Sequence, residues 1–172
     1  MEKTKIALGC DHIGFSLKEQ IKKYLIQEKN AEIVIDPIQT EEEGNGTFIE
    51  TTRLICEGIQ QDTCRLALMI CGTGLGFCSV ANTYWGIRAA HASEPYTARR
   101  ARKSLNAQIL RLGCRVMSLE YCKMVVDAFY DEPFDWTRTS SVLNLKLMEK
   151  FEYQREPKPA NVSWSMGFFP DV

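Results

Sequence analysis

The run Leu66-Ala-Leu-Met-Ile-Cys71-Gly72-Thr73-Gly74-Leu75-Gly76 places a nucleophilic sulfur between an apolar stretch of buried-strand length and a glycine-rich turn, and a helix-like segment follows. Strand, tight turn and helix is how α/β folds present backbone N–H groups to an anion, because unpaired amides and the helix dipole both face the ligand there. A thiol beside such donors gives up its proton more easily than a free cysteine. The pattern sets a potential base next to a pocket for developing negative charge. That pairing suits proton abstraction beside a carbonyl, with the resulting enediolate held by amides.

The elements that must position this loop follow from periodicity. Short apolar runs alternate with amphipathic stretches, the pattern of a parallel sheet covered by helices. Strands are expected near Lys5–Gly9, Glu32–Ile35, Leu66–Ile70, Gly86–Ala90 and Gln108–Leu112. Leu17, Ile21, Tyr24 and Leu25 recur at helical spacing within Phe15–Glu28. Further helices are expected near Thr47–Gln61, Gly74–Asn82, Pro95–Ser104, Leu119–Phe129 and Ser140–Phe151, with Pro95 suited to a first turn because its missing N–H costs nothing there. Ligands of open parallel sheets sit beyond the carboxyl ends of the strands. Three segments are expected to converge at that edge: Cys10-Asp11-His12, Cys71 to Gly76, and the stretch after Arg88.

A chain of 172 residues is the size of one compact domain with a real core. That domain is expected over 1–152. The tail over 153–172 carries several prolines with Trp164, Phe168 and Phe169, and is expected to pack on a partner subunit, a loose end being the alternative. The acidic run within Asp36–Gly46 reads as a solvated loop. A net charge of -1 gives no reason to invoke nucleic acid or an anionic membrane surface. No segment has the length of a bilayer span, and the first residues enter a strand without a signal-peptide core, so a cytoplasmic protein is expected. Seven cysteines, odd in number and without a C-x-x-C pair, specify neither a disulfide framework nor a zinc site. No metal and no cofactor are expected, and most of these cysteines read as small apolar core residues.

Gly9-Cys-Asp-His-Ile-Gly-Phe15 together with Cys71-Gly-Thr-Gly-Leu-Gly76 resembles the family of ribose-5-phosphate isomerase B and the galactose-6-phosphate isomerase subunits. Ala81-Asn82, Gly86-Ile-Arg-Ala-Ala90, Glu94-Pro-Tyr-Thr-Ala98 and Leu112-Gly-Cys-Arg-Val116 extend the similarity in register from about Lys5 to Arg138. The resemblance implies a Rossmann-like three-layer α/β/α sandwich on a five-stranded parallel sheet, and a homodimer or homotetramer with active sites shared between subunits. It also implies metal-free aldose–ketose isomerisation of a sugar phosphate through a cis-enediol. On the matching positions, Cys71 takes the role of the base that shuttles a proton between C1 and C2. Gly72, Thr73, Gly74 and Gly76 form the loop that holds the enediolate oxygens, where one donor is typically worth about 2.7–4 kcal/mol of barrier. Asp11 and His12 contact sugar hydroxyls and the ring oxygen, and Asn82 stands beside the loop. Arg138 reaches the phosphate, in the neighbouring subunit's site; Asn106 and Arg115 complete the expected substrate contacts.

Plainer roles stand beside these. Asp11 could cap the next helix, His12 could be structural, Arg115 could pair with a surface carboxylate, and Arg99, Arg100, Arg102 and Lys103 read better as a solvated helix face than as a phosphate patch. Three departures from the family pattern bear on the substrate. Ser104 stands where the family has a ring-opening histidine, and a hydroxyl lacks the accessible pKa of an imidazole. Asn45-Gly-Thr-Phe48 lacks the family's phenol, and Val142 replaces a second phosphate arginine. One reading is that the substrate never closes a ring, as for a tetrose phosphate whose terminal oxygen is blocked. The other is that His91 or a partner subunit supplies the acid. A subunit that binds sugar phosphate without turnover is the rival from another class. A nucleotide- or flavin-binding module and a thiol redox protein are weaker, since the turn has no phosphate-loop lysine and Cys71 no nearby resolving cysteine.

Overall fold

The computed structural model describes residues 3–37 and 48–154. β1 (Thr4–Cys10), α1 (Phe15–Glu28), β2 (Ala31–Ile35), α2 (Phe48–Gln60), β3 (Leu66–Cys71) and α3 (Leu75–Ala81) follow in order. Then come β4 (Ala89–His91), α4 (Pro95–Leu105), β5 (Ile109–Gly113), α5 (Leu119–Tyr130) and α6 (Thr139–Gln154). Among the described residues the sheet has five parallel strands in the order β2-β1-β3-β5-β4. Both of its faces are covered, which is why β3 reads as one continuous apolar run. Ile6, Leu8, Leu68, Ile70, Leu110 and Leu112 pack with Leu17, Ile21, Val125 and Phe129 on one side. Ala7, Ala67, Met69, Cys71 and Ile109 pack with Ile55 and Phe77 on the other. This is the expected α/β sandwich.

Local chemistry sets the helix boundaries. Glu94 caps α4 by accepting from the Tyr96 and Thr97 amides at 2.6 and 2.5 Å, with Pro95 in the first turn. Ser118 caps α5 through the Tyr121 amide at 3.4 Å.

Two expectations need correction. The fourth strand begins at Ala89 rather than Gly86, because Gly86 turns with φ +70 and the Gln108 side chain, not a ladder, takes the Gly86 carbonyl and the Arg88 amide. The basic face of α4 is not uniformly solvated. Arg102 is buried, donates to Asn106 Oδ1 and the Ala107 carbonyl, and lies over the Phe129 ring, while Arg99 and Lys103 pair with Glu132. The readings for the acidic run near Glu41–Glu43, for Asn45–Gly46 and for the proline-rich part of the tail lie outside the described residues.

β1 is tied to the end of β3. The Asp11 amide donates to the Ile70 carbonyl at 3.3 Å, and a Cβ on Gly14 would come within 2.3 Å of that same carbonyl oxygen. The overlap is with backbone one residue before Cys71, so it cannot be relieved by a rotamer. Gly14→Ala is expected to destabilise the fold by about 1–3 kcal/mol, read as a loss of about 2–4 °C of Tm per kcal/mol in thermal unfolding.

Candidate active site

Chain order and sheet order diverge at β1: β2 lies on one side of it and β3 on the other, and such a switch point leaves a crevice at the carboxyl edge. Cys10 pairs with Ile70 and Cys71 with Gly113 in register, so Asp11, Cys71 and the residues after Gly113 meet there. The end of β4 reaches this edge as His91, and β5, inserted between β3 and β4, brings a further segment to it. The Cys114 and Arg115 amides donate to the Cys71 and Gly72 carbonyls at 2.8 and 3.0 Å. A Cβ on Gly113 would meet the Thr73 carbonyl oxygen at 2.7 Å, so β5 presses on the loop from below.

The loop closes on the sulfur. Cys71 is 8% exposed, and its Sγ accepts the Gly74 amide at 3.0 Å. Gly74 reaches that position with φ +99, a conformation glycine adopts without strain. The Arg111 side chain, with 0% exposure, brings Nη2 to 3.4 Å from the same sulfur. Its Cζ lies 5.9 Å from the Phe77 ring centroid, and its Nε and Nη1 have no hydrogen-bond partner among the described residues. Burial pushes this guanidinium below its ordinary pKa, while the nearby Cys71 and Cys78 sulfurs and Asp11 pull it back up. The thiols in the apolar layers behave differently: burial raises Cys10, Cys64 and Cys122 to about 11 and Cys56 to about 12, leaving them protonated and inert.

Of the expected site residues, Cys71, Gly72, Thr73, Gly74, Gly76, Asp11, His12 and Arg115 gather at this edge. The Gly74 amide is spent on sulfur rather than left for a substrate oxygen. Asp11 does form the turn leading into α1, its Oδ1 accepting from the Gly14 amide at 2.8 Å. Arg115 is exposed and its side chain lies over Gly72, with Cδ 3.5 Å from where a Cβ would stand. Asn82 ends α3 and clasps Ala89, accepting from its amide at 2.9 Å and donating to its carbonyl at 3.0 Å. Asn106 and Arg138 are not brought to Cys71 within the chain. Asn106 ends α4 with φ 47 and borders a cavity of about 390 Å³ beside Cys64 and Arg65, at the amino edge of the sheet. Arg138 lies on the turn joined to the end of α4 through the Asp135 amide and Lys103 carbonyl, and bonds Ser140 Oγ at 3.2 Å. An apolar cavity of about 500 Å³ between Trp85, Leu105 and Phe151 also lies away from Cys71.

His91 pairs with Arg111 in register and stands behind the loop, its Nδ1 3.1 Å from where a Gly74 Cβ would be. Burial, then the Arg111 charge, push it below the ordinary imidazole value of 6.5, so it is neutral near pH 7 and a poor source of the missing proton. Arg111 itself was not singled out by residue-type reasoning. Its signal was a lone charge inside the apolar run Ile109-Leu-Arg-Leu-Gly113.

Comparison with known proteins places this geometry. Residues 6–145 match the model of a family described as Ribose/Galactose Isomerase. The chain belongs to that family. It is 36% identical over 135 residues to ribose-5-phosphate isomerase B of Escherichia coli, covering 78% of this chain and 88% of that one. It is equally 36% identical over 133 residues to D-erythrulose-4-phosphate isomerase of Pectobacterium atrosepticum, covering 76% and 84%. The crystal structure of the Thermotoga maritima ribose 5-phosphate isomerase matches with a TM-score of 0.77 at 34% identity over 87% of this chain and 99% of that one. The chain is accordingly an isomerase of aldose–ketose type, and the catalytic reading of the chain prevails over a binding subunit without turnover. No helix among the described residues is long and apolar enough to cross a membrane.

Two outcomes test the loop. Gly74→Ala drives a Cβ to 2.6 Å from Arg111 Nη2 in a backbone region costing about 1–2 kcal/mol for other residues. It is expected to lower kcat at least about tenfold by turning the amide off the sulfur, measured by steady-state kinetics on a variant whose circular dichroism is unchanged. His91, depressed in the folded state, contributes stability that is complete above pH 6.5 and lost as pH falls towards its folded value. Urea unfolding is expected to show that loss below pH 6.5, and His91→Gln to remove it.

Proposed function

We propose that this chain interconverts an aldose phosphate and its ketose, with Cys71 as the base and a four-carbon sugar phosphate as the substrate. In the forward step the Cys71 thiolate takes the proton from the carbon beside the carbonyl. The electron pair moves onto the carbonyl oxygen, a proton passes from the neighbouring hydroxyl to that oxygen, and the thiol returns its proton to the former carbonyl carbon as the new carbonyl forms. Gly72 and Thr73 supply backbone donors for the enediolate, and Arg115, exposed beside Gly72, supplies the cation for the phosphate. Asp11 and His12 face the hydroxyls from the end of β1.

The observation that carries the four-carbon reading is that neither Ser104 nor His91 can stand in for the ring-opening histidine of the family pattern. Ser104 Oγ is buried without a hydrogen-bond partner among the described residues, and His91 is held neutral behind the loop. An aldopentose 5-phosphate or an aldohexose 6-phosphate spends its resting state as a ring that must be protonated and opened. A four-carbon chain phosphorylated on its terminal oxygen has no hydroxyl left to close a furanose, so it arrives as the open carbonyl. Equal identity to a ribose 5-phosphate enzyme and to an erythrulose 4-phosphate enzyme leaves both chain lengths within the family's reach.

Asn106 and Arg138 lie at the opposite edge of the sheet from Cys71, which supports a homodimer or homotetramer in which a second copy brings them to the site. Exposed Leu75 and Val116 beside the loop, and Leu143, Leu147 and Phe151 along α6, offer apolar surface for it. Relatives named as galactose-6-phosphate isomerase subunits leave a heteromer as the competing assembly. The seven unpaired thiols fit the reducing cytoplasm. One catalytic domain over 1–152 followed by a subunit-wrapping tail completes the reading.

A panel of four- to six-carbon aldose and ketose phosphates tests it. The expected result is kcat/KM highest for a tetrose or tetrulose phosphate; equal activity on ribose 5-phosphate refutes the chain-length assignment. Cys71→Ala is expected to lose about 10²–10⁴-fold in kcat with its fold retained. Near-normal turnover would place the base elsewhere.

A further inference from the structure

We infer that Arg111 is a positioning residue that acts as the built-in counter-charge of the Cys71 thiolate. This deepens the proposed function, since it rests on Cys71 being the ionised base. Three observations converge on it. The guanidinium is completely buried on β5, beneath the loop, with Nη2 3.4 Å from Cys71 Sγ. Its Nε and Nη1 find no acceptor among the described residues, although buried guanidinium donors are ordinarily satisfied. Gly74 has no Cβ where one would collide with Nη2 at 2.6 Å, so the turn and the arginine are fitted to each other.

The sulfur therefore has two donors on it, the Gly74 amide at 3.0 Å and the Arg111 guanidinium. A neutral thiol is a weak acceptor and gives a buried cation little in return. A thiolate gives it an opposite charge. Other charged or titratable groups face this pair from each packed element: Asp11 from the end of β1, Cys78 from α3, His91 from β4, and Cys114 with Arg115 from the end of β5. Asp11, the carboxylate acting on Arg111, is bonded to the Gly14 amide, Cys78 Sγ to the Ala89 carbonyl, and His91 is uncharged near pH 7, so Cys71 Sγ is the acceptor in contact with Arg111. Because Arg111 is fully buried behind the sulfur, it acts through Cys71 rather than on the substrate.

The test is peptide-resolved alkylation of Cys71 by iodoacetamide against pH, in wild type, Arg111→Met, Arg111→Gln and Arg111→Lys. The midpoint is expected to move up by about 1–3 pH units in the two neutral variants and to stay near wild type in Arg111→Lys. In parallel, kcat at pH 7 is expected to fall about tenfold or more in the neutral variants, with KM changed less than about threefold. A folded neutral variant with the wild-type alkylation profile overturns the inference. Should neither neutral variant fold, the stability of wild type minus that of Cys71→Ser decides. A thiolate–guanidinium pair makes that difference grow as pH rises from 6 towards the ordinary cysteine value of about 8.5, and a flat difference overturns it. Neither the alkylation nor the stability readout depends on turnover. If Cys71→Ala kept its activity while the alkylation shift appeared, the base assignment would fail and the ion pair would stand.

Discussion

The end of β3 has to do two incompatible things, and the structure around it is the resolution. A cysteine in the middle of a close-packed layer is an inert apolar side chain, yet a base must be ionised and reachable. Cys71 stands where the strand stops, so its neighbours on the carboxyl side are backbone donors rather than hydrocarbon. The Gly74 amide can face the sulfur only because the chain turns through φ +99 immediately after it. That turn is held from three sides: by β5 under Thr73, by the Cys114 and Arg115 amides on the preceding carbonyls, and by α1 starting against the Ile70 carbonyl. Shape around Cys71 is thus maintained by backbone contacts that no side-chain movement can absorb.

Electrostatics complete what geometry begins. An ion transferred into a protein interior costs several kcal/mol, and a hydrogen bond to a charged group returns about 1.5–3 kcal/mol. Arg111, with one contact to sulfur and two unanswered donors, is poorly compensated beside a neutral thiol. Against an anionic sulfur the Coulomb attraction is added, and the balance changes sign. His91 is depressed by burial and further by the same charge, so one buried arginine would favour an anion in front of it and disfavours a second cation behind it. Both effects push the site towards base chemistry and away from acid chemistry.

How much of this could be read from the chain depends on where the information is stored. β1, β3, β5 and the helices were legible because both faces of the sheet are covered and the periods are clean; α1 falls on Phe15–Glu28 as its apolar spacing required. The loop was legible because glycines in a strand–turn–helix context have one geometric meaning. β4 was misplaced because its start is decided by the Gln108 side chain, a contact distant in sequence. The insertion of β5 between β3 and β4 is equally invisible to periodicity, and with it the encounter of Arg111 with Cys71. Arg102 and Asn82 show the same limit. Each reads as a surface or substrate group, and each bonds a main-chain partner that only the fold supplies.

Substrate choice then rests on what the site lacks as much as on what it holds. Isomerisation of a cyclic sugar needs a proton delivered to the ring oxygen before the base can act, and that proton must come from a group that titrates near neutral pH. At the position that the family resemblance assigns to that group stands Ser104, and His91 is kept neutral by burial and then by the Arg111 charge. An acid standing beside Arg111 would be penalised by that charge, as His91 is in addition to its burial. An arrangement that strengthens the base at the expense of the acid is tolerable only when the carbonyl is already open. On the proposed reading, the buried arginine and an open-chain substrate would be two consequences of one electrostatic choice.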